Sequence, residues 1–294
     1  MTTQSEVLNN DKYIPVLNLG FVGLVDHMGN DDAIAQAARV SYGKGTKKIS
    51  EDRALIRYLV RHLHTTPLEM VDFKFHIKCP IFVARQWIRH RTASINEYSA
   101  RYSEMPDESF VPAIKTIKPQ STDNKQGRAG EFTIDQQWHT KDIIEDTWKD
   151  AFESYRKMLN SNVAKETARV VLPVSAYTEF YWKMNLHNLL HFLKLRLDKH
   201  AQYEIRVFAE AVFKLIQPVV PIATEAFTDY IFDGQTYANY QISRFELGEL
   251  RDLLTYLYDL IPNIDKGIIN SMKSKGASKR EIDEFLDKFQ IPTQ

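Results

Sequence analysis

The chain has 294 residues, which is enough for one large domain or two modest ones with a substantial core. Hydrophobic residues make up 44% of it and charged residues 26%, an ordinary composition for a soluble globular protein. Lysine plus arginine and aspartate plus glutamate number 38 each, so the formal net charge is zero. This balance disfavours a protein that coats nucleic acid through a general basic excess.

The secondary structure of the first hundred residues is predicted from apolar periodicity and from helix-capping side chains. The predicted elements are a flexible lead-in over 1–14, a strand over Val16–Val25, a helix that starts with Asp31 and Asp32 after the cap Asn30 and continues over Ala33–Val40, a helix over Glu51–His62 with Ser50 as its cap, a strand over Val71–Ile77, and a helix from Pro80 through Arg91. The strand over Val71–Ile77 alternates, which predicts that Phe73 and Phe75 are buried while Lys74 and His76 lie on the other face.

The rest of the chain is predicted to be mainly helical. The predicted elements are an exposed loop over 118–130, a helix over Ile134–Leu159, a strand over Thr178–Met184, helices over Asn185–Arg196, Ala201–Leu215 and Pro218–Ile231, and helices after Gly234, one of them begun by a capping box at Ser278–Glu281. Strands and helices interleave without regular βαβ spacing, which predicts an α+β or mixed α/β fold.

Cysteine usage and the lack of long apolar runs bear on the compartment. Cys79 is the only cysteine, so a disulfide within the chain is excluded. No apolar run approaches the length of a membrane span, and Met1–Tyr13 lacks the apolar region of a secretory signal. We therefore expect a cytoplasmic protein that does not bind membranes.

Arginine is concentrated between Arg85 and Tyr102. The predicted helix places four polar side chains in one arc: Arg85, Gln86, Arg89 and His90. Arg91 and Arg101 add two guanidiniums nearby, and Glu97 is the one acid between them. Because one carboxylate cannot neutralise four arginines, an anion is expected to complete the site, and the planar guanidinium matches phosphate oxygens. The alternative is a solvated basic face with surface ion pairs, which the interleaved Phe82, Trp87 and Ile88 disfavour.

A second candidate group lies on the predicted helix over Asn185–Arg196. At 100° per residue, Arg196 falls inside the apolar stripe, where a guanidinium needs a partner. The partner is either an acid such as Asp198 or a ligand. His187 and His191 are four residues apart on the polar face, a spacing that can bind a metal, but Lys194 beside them would repel a cation. We predict no metal site.

Several motifs resemble those of the flavin-dependent thymidylate synthases. The signature-like element is Arg89-His90-Arg91 followed after seven residues by Ser99. Similar flanking motifs are Arg85-Gln86-Trp87, Asn96-Glu97-Tyr98, Arg101-Tyr102, HLHTTPLE at 62–69, TARVVLP around Arg169, and LKLRLDKHAQYE at 193–204. Met70 departs from the family, which commonly has a histidine there. The resemblance covers roughly Val16 to Gly234.

The resemblance implies a fold, a reaction and a set of site residues. The implied fold is a single domain over 15–234, with a central antiparallel or mixed sheet flanked by helices, followed by a helical extension over 235–294. The implied reaction is the reductive methylation of dUMP to dTMP by a methyltransferase that uses FAD, with 5,10-methylenetetrahydrofolate and NADPH as co-substrates and without an enzyme thiol. The implied assembly is a homotetramer whose sites are shared between subunits.

The resemblance also assigns roles to individual residues. The implied dUMP ligands are Gln86, Arg89, Ser99, Arg101, Arg169 and Arg196. The implied FAD ligands are Thr66, Arg89, His90, Arg91, Glu97, Asn185, His187 and His191. Arg196 is implied to be catalytic, because it contacts the pyrimidine and helps to ionise its N3. Ser99 has no paired base in the sequence and is expected to bind substrate rather than act as a nucleophile.

Three other functions are compatible with parts of the sequence. The same scaffold could serve a different flavoenzyme or nucleotide-modifying enzyme. An RNA-binding module could use the arginine segment, although zero net charge and the lack of basic runs disfavour it. A structural protein could use the arginines at an oligomer interface.

Overall fold

The computed structural model describes residues 7, 10–40, 49–122, 125–237, 240–260, 264–274, 282, 283, 285 and 286. These residues form two compact units. The first contains the chain up to residue 56 together with 64–224, and the second contains 57–63 together with the chain from residue 225 onward. Most of the predicted lead-in and the predicted capping box at 278–281 lie outside the described residues. The predicted domain boundaries at 15 and 234 stay predictions.

The first unit is built on a five-stranded antiparallel sheet, in the order β1-β2-β3-β5-β4. The strands are β1 (Tyr13–Val16), β2 (Gly20–Met28), β3 (Asp72–Pro80), β4 (Ser94–Glu97) and β5 (Tyr177–Asn185). The single strand predicted over Val16–Val25 is wrong. The chain reverses at Leu17, whose φ of 58° lies in the left-handed region, and Pro15 pairs with Phe21 across the resulting hairpin.

Ten α-helices lie within the described residues. They are α1 (Asp31–Val40), α2 (Ile49–Arg61), α3 (Ile81–Trp87), α4 (Ile134–Asn160), α5 (Lys165–Ala168), α6 (Leu186–Arg196), α7 (Tyr203–Ile216), α8 (Pro221–Phe227), α9 (Arg244–Leu260) and α10 (Ile264–Ser274). The predicted α+β class is confirmed. Asn30 caps α1 by accepting from the backbone N–H groups of Asp32 and Ala33, at 3.0 and 3.3 Å. Ser50, in contrast, lies inside α2 rather than before it.

Two strand-to-helix junctions determine how the site is built. β3 runs directly into α3, and β5 runs directly into α6. Because these strands are antiparallel, with Asp72 opposite Asn185 and Pro80 opposite Tyr177, the two helices begin at opposite ends of the strand pair. The C-terminal ends of α3 and α6 therefore converge over the middle of the sheet.

A buried aromatic cluster holds the two helices on β5. The ring of Trp87, at the end of α3, lies 5.2 Å from that of Trp182 on β5 and 5.0 Å from that of Phe192 on α6. Phe208 of α7 packs against Trp87 from another side, at 5.9 Å. Buried aromatic side chains dominate core energetics, so this cluster fixes where α3 ends. The predicted continuation of the helix to Arg91 is wrong, because α3 stops at Trp87.

β3 is more deeply buried than its alternation predicted. Phe73 and Phe75 are buried as expected, but His76 and Lys78 on the other face are also buried. His76 Nε2 lies 2.6 Å from Glu179 Oε1, and Lys78 Nζ lies 2.8 Å from Glu108 Oε2. The polar partners that make this burial tolerable are distant in sequence, so a pattern confined to the strand cannot show them.

The second unit contains a buried carboxylate between two arginines. Asp229 lies in a π-helical turn over Thr228–Phe232 and its side chain is 0% exposed. Its Oδ2 lies 2.8 Å from Arg57 Nη1, and its Oδ1 lies 2.8 Å from Arg244 Nε. The same unit contains a hairpin of β6 (Gln235–Tyr237) and β7 (Tyr240–Ile242), followed by α9 and α10.

Candidate active site

Arg196, the last residue of α6, lies at the centre of the candidate site. Its Nε–H donates to Nε2 of His90 at 3.1 Å, and its Nη2 donates to the backbone carbonyl of Gln86 at 3.3 Å. Neither partner is an acid. The alternative partner Asp198 instead accepts from the backbone N–H of His200 at 2.7 Å. The guanidinium is thus anchored by neutral acceptors and keeps its positive charge for a ligand.

His90 is held in its neutral form by its surroundings. Burial, the guanidinium of Arg196 and the neighbouring His191 together lower the pKa of His90 from its ordinary 6.5 to about 4. Since Nε2 accepts from Arg196, the remaining ring proton is on Nδ1. The ring also packs edge-on against Phe192, with centroids 4.9 Å apart. Burial and the charge of Arg89 likewise lower the pKa of Arg196, although its guanidinium stays protonated.

The lowered pKa of His90 predicts a pH dependence of stability. The unfolded chain takes up a proton near pH 6.5 and the folded chain only near pH 4, so stability falls as the pH drops through this window. After allowance for solvent screening of a half-buried ring, we expect a loss of about 1 kcal/mol, or roughly 3 °C in melting temperature. Thermal melts of the wild type and of His90→Asn between pH 4 and 7 measure it. Identical pH profiles for the two proteins would contradict the assignment.

Three arginines around this cluster have no ionic partner within the part of the chain that the structure describes. They are Arg85 at the end of α3, and Arg89 and Arg91 in the segment that follows it. All three are exposed. The prediction that Arg89 and His90 lie on one arc of this helix is therefore wrong, because both residues follow the end of the helix at Trp87. Glu97, on β4, accepts from the hydroxyl of Thr178 at 2.6 Å. The expectation that an anion completes this group stays a prediction, supported by these unpaired charges.

Ser99, Arg101 and Arg169 form a second group. The Ser99 hydroxyl accepts weakly from the backbone N–H of Arg101 at 3.4 Å. Arg101 forms an ion pair with Glu166 of α5 at 3.3 Å, and both side chains are more than half exposed, at 55% and 57%. Such a pair contributes little and is easily exchanged for a ligand. Arg169 begins the short helix that follows α5 and is exposed. Among the described residues, no hydrogen bond or ion pair joins this group to Arg196.

The remaining predicted residues lie on α6, at its N-terminal cap and on a short helix that packs against it. Asn185 caps the helix, and its Oδ1 accepts from the backbone N–H of Asn188 at 3.0 Å. Thr66 begins a short helix, Thr66–Met70, that packs against α6. His187 is on the first turn of α6, while His191 is one turn later, with its ring 6.3 Å from that of His90. Across the described residues, no three histidine, cysteine or acidic side chains come together as a metal site.

Gln202 is a contact that the sequence motifs did not assign. Its Oε1 accepts from Nε2 of Gln86 at 2.5 Å, across 116 positions of the chain. It lies one residue before α7 in a motif whose arginine was singled out, but no periodicity connects it with Gln86. A cavity of about 610 Å³ opens beside it, and five cations line that cavity: Lys115, Lys118, Arg128, Lys199 and Arg206. Its size is typical of a small-molecule pocket, and its lining favours an anion.

Comparison with known proteins identifies the family. A family model described as thymidylate synthase complementing protein matches residues 23–222. A flavin-dependent thymidylate synthase of Wolbachia pipientis wMel is 53% identical over 242 residues, covering 81% of this chain and 82% of the relative. The chain belongs to the flavin-dependent thymidylate synthase family. Another member, from a strain of Thermus thermophilus, is 48% identical over 268 residues, covering 91% of this chain and 93% of the relative.

A solved structure supports the same family assignment. The UMP/dUMP methylase PolB from Streptomyces cacaoi, bound with 5-Br dUMP, superimposes with a TM-score of 0.67 at 35% identity. The match covers 73% of this chain and 97% of PolB. The resemblance predicted from the arginine segment is therefore confirmed, as is the implied class of fold, an antiparallel sheet with helices. None of the described helices is long and apolar enough to cross a membrane.

Proposed function

We propose that this protein is a thymidylate synthase that methylates dUMP to dTMP reductively, with FAD as cofactor. The one-carbon donor is 5,10-methylenetetrahydrofolate and the reductant is NADPH. The main support for the proposal is the position of the Arg196 guanidinium, which donates hydrogen bonds to the uncharged His90 and to a backbone carbonyl. This arrangement occurs in a chain that belongs to the flavin-dependent thymidylate synthase family. The substrate dUMP, both co-substrates and FAD are all anionic. This agrees with the exposed Arg85, Arg89 and Arg91, which have no ionic partner among the described residues.

The proposed dUMP site draws on both groups of residues. Gln86, Arg89 and Arg196 come from the Arg196 cluster, while Ser99, Arg101 and Arg169 come from the second group. Arg101 reaches the nucleotide phosphate by giving up its exposed ion pair with Glu166. Because no hydrogen bond or ion pair joins the second group to Arg196 among the described residues of one chain, we propose that each site is completed by a second subunit of a homotetramer.

The proposed FAD site is formed by Thr66, Arg89, His90, Arg91, Glu97, Asn185, His187 and His191. The residues fit a dinucleotide, since Arg89 and Arg91 are exposed and unpaired among the described residues and suit a diphosphate. Bound FAD supplies the hydride-transfer chemistry of the reaction. The protein's own contribution is to orient the ligands and to set the charge around them.

Arg196 is the proposed catalytic residue. Its guanidinium is partly buried, which strengthens its electrostatic effect on a ligand. Negative charge that develops on the pyrimidine when N3 ionises is stabilised by a positive group that is already in place. His90 assists by accepting from Nε while remaining neutral, so it does not compete with the pyrimidine for that charge.

A thiol mechanism is disfavoured by the surroundings of Cys79. The side chain is completely buried at the end of β3, and burial raises the pKa of the thiol well above its ordinary value. Ser99 has no histidine partner among the described residues. Neither side chain is therefore activated as a nucleophile. We also propose a cytoplasmic location and no association with nucleic acid.

The visible spectrum of the purified protein tests the proposal directly. We expect flavin absorbance, either as purified or after reconstitution with FAD, that NADPH bleaches under anaerobic conditions and that responds to dUMP. Formation of dTMP in the complete mixture completes the test. A parallel reaction with UMP shows whether this chain shares the range of PolB. A protein that cannot be loaded with FAD would contradict the proposal, and nicotinamide oxidation without dTMP would indicate a different flavoenzyme.

A further inference from the structure

A relay of three hydrogen-bonded side chains runs from Gln86 through Gln202 to the buried carboxylate of Glu204. Gln86 Nε2 donates to Gln202 Oε1 at 2.5 Å, and Gln202 Nε2 donates to Glu204 Oε2 at 2.9 Å. The other carboxylate oxygen of Glu204 accepts from Arg128 Nη2 at 3.0 Å. The Gln202 amide is thus placed between two groups that restrict its direction, and Gln86 meets it from one side.

The orientation of the two glutamine amides is determined by Glu204. Its side chain is 3% exposed and is paired with Arg128, whose guanidinium also lies over the ring of Tyr203 at 5.3 Å. An ionised carboxylate can only accept hydrogen bonds. Gln202 must therefore turn its NH₂ group toward Glu204 and its oxygen toward Gln86. Gln86 in turn must use its NH₂ group on Gln202.

This order leaves one atom of Gln86 available to a ligand. The amide oxygen Oε1 of Gln86 has no hydrogen-bond partner among the described residues. The opposite orientation of the Gln86 amide would place its oxygen against Gln202 Oε1, leaving two acceptors without a donor. Gln86 consequently offers an acceptor, beside the carbonyl that holds Arg196.

We infer that Glu204, through Gln202, is a positioning residue that fixes Gln86 as a hydrogen-bond acceptor for the pyrimidine nucleotide. The inference rests on the proposed function and adds a specificity element to it. The group of the nucleotide that binds Gln86 Oε1 is an N–H or O–H donor. A ligand that has only acceptors at this position cannot make the contact. Because the contact is made on binding, its loss affects KM more than kcat.

The test uses Gln202→Met in the full-length protein loaded with FAD. Methionine keeps the length of the side chain and removes both polar atoms. We expect the KM and the Kd for dUMP to rise about tenfold, in line with about 1.4 kcal/mol for a lost hydrogen bond, with kcat changed less than threefold. Gln86→Met should show a similar rise, and the double variant should be no weaker than Gln86→Met alone. The matched control is Gln217→Met. Gln202 lies one residue before α7, whereas Gln217 is exposed and lies one residue after it, so the change at Gln217 should leave both constants unchanged.

A second variant guards against misfolding of the first. Glu204→Gln keeps the size of the side chain, removes the charge that sets the direction of Gln202 and leaves only the partly exposed Arg128 without its counter-charge, so it should raise the Kd for dUMP about two- to fivefold. Additive effects of Gln86→Met and Gln202→Met, or an unchanged Kd in Gln202→Met, would overturn the inference while dTMP formation by the wild type still supports the proposed function. If the wild type binds dUMP but makes no dTMP, the Kd series still decides the inference. If it does not bind dUMP, both fail.

Discussion

Replacing Arg196 with lysine is expected to reduce kcat for dTMP formation about 10²- to 10³-fold, the usual cost of removing one preorganised charge stabiliser. Lysine retains the charge but loses the planar fork that binds His90 and the Gln86 carbonyl at the same time. The ammonium would be free to move, and the site would no longer present its charge in one place. Flavin content should stay at the wild-type level, because the proposed FAD contacts do not include Arg196.

The measurement is dTMP formation under saturating dUMP, with the flavin spectrum recorded on the same sample. The matched control is Arg156→Lys, the same change at an exposed position of α4, which should leave kcat unaltered. Wild-type kcat in Arg196→Lys would remove the catalytic role of this residue. Loss of bound flavin in the variant would instead show that Arg196 supports the cofactor.

The second large effect is expected in the other unit. Asp229→Ala should lower the free energy of unfolding by about 3 kcal/mol, the lower end of the usual cost of breaking a buried ion pair. Asp229 is fully buried and contacts both Arg57 and Arg244, so Arg244 loses this carboxylate while Arg57 keeps Glu225 and the Tyr230 hydroxyl as acceptors. Urea denaturation followed by circular dichroism measures the change.

Glu225→Gln is the control for this prediction. Glu225 also pairs with Arg57, at 2.7 Å, but its side chain is 35% exposed. A partly exposed pair is worth at most about 1 kcal/mol, so the control should unfold close to the wild type. If both variants were destabilised equally, burial of Asp229 would not be the source of the stability.

Elements with a strong period were predicted well from the sequence. α4 was predicted as Ile134–Leu159 and is observed over Ile134–Asn160, since its amphipathic pattern runs for seven turns. The predicted boundaries of strands and helices were wrong where they depend on the backbone angle of one residue or on a contact with a residue far away in the sequence. The hairpin turn depends on the backbone angle of Leu17, and α3 ends where Trp87 meets the aromatic cluster. Neither is encoded in a local period.

The residues of the candidate site also divide into those that the sequence predicted and those that only the structure reveals. Helical periodicity on α6 indicated that Arg196 needs a partner, and the structure supplies His90 and Gln86. The motif resemblance gave the family. Gln202 could not be assigned from the sequence, because its contact with Gln86 arises from the packing of α7 beside α3. Polar relays of this kind depend on tertiary structure alone.

The convergence of α3 and α6 makes the site sensitive to chain length as well as to residue identity. Each helix starts at a fixed end of the β3–β5 pair and must end where its last residues meet those of the other. Deleting one residue within α6 would turn Arg196 by about 100° and draw it back by about 1.5 Å, away from His90. An in-frame codon deletion there would therefore remove the site without altering a single proposed ligand.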